Sequence, residues 1–205
     1  MQEHSCIHRL RYFTRHGWGD GGQNLPLGTS NIYTVYDETG HWLGDYDARK
    51  PLHHALWLDD PPVGLVHIQK TLAYIEPDHL GSPRVVIDPT RNVAVWNWSL
   101  KGDAFGNTSP SQDPDNDGVE FVFNMRFPGQ RYDNVTGLNQ NFFRDYDSIA
   151  GRYGQSDPLG LKGGASTYAY VRLNSFYTRD IFGLESPGWW SFPPGNSERI
   201  GASLR

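Results

Sequence analysis

The sequence predicts a mainly β protein. Short apolar and aromatic runs alternate with Gly, Pro, Asn and Asp, and no stretch carries a sustained 3.6-residue stripe of good helix formers. A Tyr-Asp-to-Gly spacing recurs along the chain. Its 205 residues, 14% of them aromatic, suffice for one domain, or part of a larger one, with a substantial core.

Residues 1–30 form a poorly defined N-terminal segment. The run from Asn31 to Gly44 reads as strand, turn, strand: Asp37 opens a turn and Gly40 accepts the positive φ that closes it. Arg84–Ile87 and Asn92–Trp98 flank Asp88-Pro89-Thr90-Arg91 as a second hairpin with β-prone arms. Residues 107–118, rich in Pro, Asp and Asn, form a surface loop, and Glu120 to Phe127 continues as a strand. Tyr132-Asp133 to Gly137 and Tyr146-Asp147 to Gly151 repeat the first turn with one more residue inside. Each such unit is one hairpin. A lone hairpin is marginal in water, so the units are expected to stack into a sheet, with the Tyr residues as cross-strand contacts. A helical turn is open between Gly163 and Arg172, where Gly163-Gly164 and the β-branched residues weigh against it.

Composition narrows the function. The formal charge is −5 with no block of Lys or Arg, which speaks against a nucleic-acid partner. Cys6 stands alone, so neither an intrachain disulfide nor a thiolate metal cluster can form. The N-terminus is polar and no apolar run is long enough to cross a bilayer, so neither a signal peptide nor a membrane span is expected. No Gly-rich phosphate loop or nucleophile elbow appears.

Metal readings are weak as well. Asp113, Asp115, Asp117 and Gly118 imitate the start of a calcium loop, yet Asn124 stands where the closing bidentate Glu belongs. His53, His54, His67 and His79 lie among β-prone apolar residues at spacings that fit no zinc pattern. No metal or cofactor is expected.

Near the C-terminal end, Asp157-Pro158-Leu159-Gly160-Leu161 returns as Asp180-Ile181-Phe182-Gly183-Leu184. Two acidic turns close to one peptide segment suggest a chain that cuts itself. Their neutral reading is that both Asp residues merely start turns, as Asp commonly does. Arg144 likewise reads as a strand charge paired with Asp145 or a cross-strand acid.

Four further motifs occur in order: Asp78-His79-Leu80-Gly81-Ser82-Pro83-Arg84, Phe127-Pro128-Gly129-Gln130-Arg131-Tyr132-Asp133, Gly151-Arg152-Tyr153 through Ser156 to Leu161, and Thr167-Tyr168-Ala169-Tyr170-Val171. On these the chain resembles the Rhs/YD-repeat family over roughly residues 31–184, specifically the Rhs repeat-associated core at the end of bacterial polymorphic-toxin shells. The resemblance implies stacked antiparallel hairpins, a fragment of a spiral β-cocoon, with a small plug-like C-terminal core segment. Such a shell needs many hundreds of residues before the first Asp-Pro motif, so this chain is not expected to close one. Residues 185–205 are a short variable tail, the remnant of a toxin region with too few residues for a catalytic core of its own.

The resemblance also implies chemistry. Asp157, Asp180 and Arg144 match positions implicated in aspartyl autoproteolysis, with Leu184-Glu185 as the predicted scissile bond. Two close carboxylates cannot both ionise easily, so one keeps a proton and the other activates water. Arg144 orients or charges one of them. In the second motif Ile181 replaces a Pro and removes the ring that fixes φ. The implied partners are an upstream repeat shell or the chain's own effector segment, with a component of a secretion system. The implied location is secreted or cell-surface by a non-classical route. Rival readings are a non-catalytic cell-surface β-module that binds glycan or a partner protein, and a gene remnant without function.

Overall fold

The computed structural model describes residues 11–16, 31–37, 39–47, 50–67, 71–101 and 103–184. Eight strands form an antiparallel sheet in chain order: β1 Arg11–His16, β2 Asn31–Tyr36, β3 Trp42–Asp47, β4 Lys50–Trp57, β5 Pro62–His67, β6 Leu72–Pro77, β7 Pro83–Asp88 and β8 Val93–Asn97. A second sheet holds β9 Arg131–Asp133, β10 Leu138–Asn141, β11 Arg144–Asp147 and β12 Arg152–Tyr153, also paired with their chain neighbours. Every ladder is antiparallel and joins neighbours in sequence. This is what short strands separated by tight turns produce. The fold is therefore the stack of hairpins expected, and the predicted hairpins around Asp37, Asp88, Asp133 and Asp147 all form.

The turn Asp residues show why these sequences bend. Oδ1 of Asp37 accepts the N–H groups of Thr39 and His41, and Oδ1 of Asp88 those of Thr90 and Arg91. Asp133 does the same for Val135 and Thr136, and Asp147 for Ile149 and Ala150. One carboxylate oxygen thus replaces the missing ladder partners in each turn.

The core lies between the two sheets. Leu65, Ile75, Val86 and Trp96 project inward from the large sheet, and Tyr146, Tyr153 and Tyr170 meet them from the C-terminal half. Tyr36 of the large sheet packs on Phe142 at 4.7 Å between centroids, and within the C-terminal half Phe142 meets Phe182 at 5.3 Å and Tyr146 meets Tyr170 at 4.7 Å. Aromatic pairs at these separations add to the burial of their apolar area.

Two expectations need correction or refinement. Residues Glu120–Phe127 do not form a ladder strand; only an isolated bridge joins Met125 to Arg131. Phe123, Met125 and Phe127 are buried and Val122 is exposed, but Arg126 is buried too, so the alternation stops at Met125. Its contact with a strand is limited to β9, through Tyr132 N–H to Asn124 O and the Met125–Arg131 bridge, and further backbone bonds go to loops: Phe121 N–H to Gln112, Arg126 N–H to Gln130. The open helical question resolves as one short turn at the end of the segment, Val171–Leu173, with positive φ at all three residues, and a 3₁₀ turn at Gly160–Lys162 precedes the segment. The N-terminal segment is mostly outside the described residues, apart from β1, and so is the tail 185–205.

Candidate functional site

The hairpin β10–β11 turns through two residues, with Phe142 at φ 47°, which sets Asn141 directly opposite Arg144. Asp157 follows β12, where its N–H bonds to the carbonyl of Thr167 and its Oδ1 accepts from Leu159 N–H. Asp180 lies in the second copy of that motif, and its Oδ1 accepts from Leu184 N–H at 2.9 Å. Both residues therefore do start turns, as the neutral reading held. Their remaining oxygens do something else.

Oδ2 of Asp157 and Oδ2 of Asp180 both lie on Nη2 of Arg144, at 3.1 and 3.2 Å. The three side chains are buried, with 2% exposure for Arg144, 5% for Asp157 and 4% for Asp180. The alternative pairing of Arg144 with Asp145 is not what forms: Asp145 pairs with Gln155. The rest of the guanidinium is satisfied by main chain, Nε donating to Gly183 O at 2.5 Å and Nη1 to Thr167 O at 3.1 Å. Its plane sits 3.7 Å from the centre of the Tyr153 ring. A fork of fixed geometry suits this sharing, and a lysine could not reproduce it.

The peptide unit joining Gly183 to Leu184 is consequently held at both ends. Its carbonyl accepts from Arg144 and its N–H donates to Asp180. The predicted bond Leu184-Glu185 is the next along the chain; Leu184 is buried, and Glu185 lies outside the described residues.

Sequence reasoning missed two members of the cluster. Tyr153 donates its hydroxyl to Asp180 Oδ2 at 2.9 Å. Asn141, fully buried, donates its amide to Tyr153 Oη at 2.8 Å and to the backbone carbonyl of Asp180 at 2.9 Å. Tyr153 lies in the Gly151-Arg152-Tyr153 motif ahead of Asp157, and Asn141 lies three residues before Arg144. Only their placement across two turns reveals the contact. Close backbone approach is the other hidden feature: a Cβ on Gly183 would stand 2.3 Å from Asn141 O, and one on Gly129 2.0 Å from Ile181 O. The Phe-Pro-Gly turn thus seats the second acidic motif.

Burial pushes the Asp180 carboxyl above the ordinary Asp range, with Asp157 adding to the rise, against the opposing pull of Tyr153, Leu184 N–H and Arg144. Burial also raises the Tyr153 hydroxyl well above its usual value, so it stays a donor.

The other candidates do not converge on this cluster. Asp115 and Asp117 are bridged by Arg91 at 2.7 and 2.6 Å, and Asp113 caps its own loop through Asp117 and Gly118 N–H. His53 and His67 are register partners on β4 and β5, His54 adjoins Tyr46, and His79 bonds to Phe176 O. Among the described residues no helix is long and apolar enough to cross a membrane.

No family model matches the chain. It is 35% identical over 116 residues, 57% of this chain, to the toxin protein Tse5 of Pseudomonas aeruginosa. It is 35% identical over 106 residues, 51% of this chain, to a protein of Dickeya dadantii named "Probable deoxyribonuclease RhsA". The matches cover 8% and 7% of those proteins, and the chain spans less than half the length of the curated relatives it matches. The crystal structure of TcdB2-TccC3 without its hypervariable C-terminal region shares the fold, with a TM-score of 0.52 and 16% identity over 83% of this chain and 10% of that one.

Proposed function

We propose that the chain is an Rhs/YD-repeat shell segment in which Asp157 and Asp180 cut the backbone after Leu184; its similarity to Tse5 and to the Dickeya dadantii RhsA protein, and the fold it shares with TcdB2-TccC3, support this reading. The observation that carries this reading is the pair of buried carboxylates on one nitrogen of Arg144, with Asp180 bonded to Leu184 N–H. Cutting there would free whatever follows residue 184, the effector segment, from a shell completed by upstream repeats. Export by a bacterial secretion route and a secreted or cell-surface location belong to the same proposal.

The chemistry is a single hydrolysis. Asp157 takes a proton from water as the water oxygen bonds to the Leu184 carbonyl carbon. Asp180, whose burial favours its protonated form, gives a proton to the departing Glu185 nitrogen as the C–N bond breaks. As Asp180 becomes anionic, Tyr153, Leu184 N–H and Arg144 are already aimed at it, so no reorganisation opposes the step. Leu184 ends as a carboxylic acid that passes its proton to the freed Glu185 amine, and the resulting carboxylate remains with the shell.

Denaturing electrophoresis of the purified full chain tests this. The wild type should run as a shortened band and Asp180→Asn as the intact chain. Intact wild type would remove the peptidase reading. It would favour the second reading, in which the Arg144 cluster only fastens the C-terminal segment to the shell, consistent with the bonds that Arg144 makes to both carboxylates and to Gly183 O and Thr167 O.

A further inference from the structure

We infer that Asn141 and Tyr153 are positioning residues that decide which oxygen of Asp180 carries the transferable proton. The inference rests on the proposed hydrolysis and deepens it.

Asp180 is met by donors on two sides. Its Oδ2 receives both the Tyr153 hydroxyl at 2.9 Å and Arg144 Nη2 at 3.2 Å, while its Oδ1 receives Leu184 N–H alone at 2.9 Å. A carboxylic oxygen that already accepts two hydrogen bonds has no lone pair free to hold a proton. The neutral acid must therefore carry its proton on Oδ1, the oxygen that faces the main chain just before the scissile bond. Tyr153 enforces this only if its own hydrogen points at Asp180, and Asn141 sees to that. The Asn141 amide nitrogen donates to Tyr153 Oη at 2.8 Å, so the hydroxyl oxygen acts as acceptor there and must donate elsewhere. A second bond from the same amide nitrogen to the Asp180 carbonyl fixes the distance between the two residues.

The relay is held by packing. Tyr153 lies edge-on to Tyr146 and Tyr170, both at 5.8 Å, and under the Arg144 guanidinium. The groups that face Asp180 are Arg144 on β11, Tyr153 on β12, Asp157 after it, and Tyr170. Removal of one hydroxyl leaves all of these rings and charges in place.

The test is Tyr153→Phe in the full chain, its fold checked by near-ultraviolet circular dichroism. Two readouts apply: the pH dependence of processing, and a ¹³C titration of the Asp180 side-chain carboxyl. Processing should slow roughly tenfold at its optimum, the loss of one charge-assisted hydrogen bond. Loss of a donor that favours the anion should also move the Asp180 midpoint and the alkaline limb of processing to higher pH. A pH profile and a titration superimposable on the wild type would overturn the inference. A wild type that never cuts would sink the proposed hydrolysis instead, while the titration would still decide whether Tyr153 governs Asp180.

Discussion

Asp157 and Asp180, which belong to two copies of one turn motif, meet on a single nitrogen of Arg144, at 3.1 and 3.2 Å, in the interior of the protein. Each keeps one oxygen for its own turn and gives the other to the guanidinium. Duplication of a turn thus becomes a paired-acid site once the chain folds the two copies against one arginine.

Arg144→Met should be costly to the fold. It leaves two buried carboxylates without their cation and frees two main-chain carbonyls. Breaking a buried pair in this way costs about 3–5 kcal/mol. Arg144→Lys should recover part of that stability but not processing, because an ammonium cannot reach both acids and Gly183 O together. Urea denaturation beside gel analysis reads both effects.

Gly129→Ala leaves every charge in place yet should impair processing. At φ 83° an alanine is strained by about 1–2 kcal/mol, and its Cβ would meet Ile181 O at 2.0 Å. The second motif must then shift away from Arg144. A fall in melting temperature together with slowed cleavage is expected; unchanged cleavage would show that the turn does not seat the motif.

Stability should depend on pH through Asp180 with a definite sign. Its native value is raised, so its contribution is fully present below the ordinary Asp value near 3.9 and is lost as pH rises through the native value. Asp180→Asn alone holds the neutral form at every pH and leaves Asp157 on Arg144, so its stability should fall less than that of the wild type between pH 3 and pH 8. Denaturant midpoints across that range check it.

How much of this was legible beforehand follows from the range of the interactions. The hairpins were readable because Asp37, Asp88, Asp133 and Asp147 each bend their own neighbours, within four residues. Asp157 and Asp180 were marked by the repeated Asp-to-Gly-Leu run, whereas the role of Arg144 was reached through motif resemblance alone. Asn141 and Tyr153 were reached by neither, since nothing local marks an amide that reaches a tyrosine across a turn. The misread strand at 120–127 has the same origin: a run of apolar residues shows in sequence, whereas how few ladder bonds β9 offers it does not.

A second titration lies at the turn tips. His41 stacks on Trp57 at 4.2 Å and sits 3.3 Å from Asp37 and 3.6 Å from Asp60, which also holds Arg179 beside Asp180. Hydrogen bonding to Asp37 raises the imidazole above its usual value, against burial. Its contribution is present below about pH 6.5 and fades as pH rises through the native value. His41→Gln should flatten the decline in melting temperature between pH 6 and 8.

Intact-mass measurement of the purified full chain bears most directly on the paired-acid account. It predicts a wild-type product whose C-terminus is Leu184, with Asp157→Asn and Asp180→Asn both retained at full length. Equal cutting of the Asn variants, or a wild-type terminus away from Leu184, would contradict it.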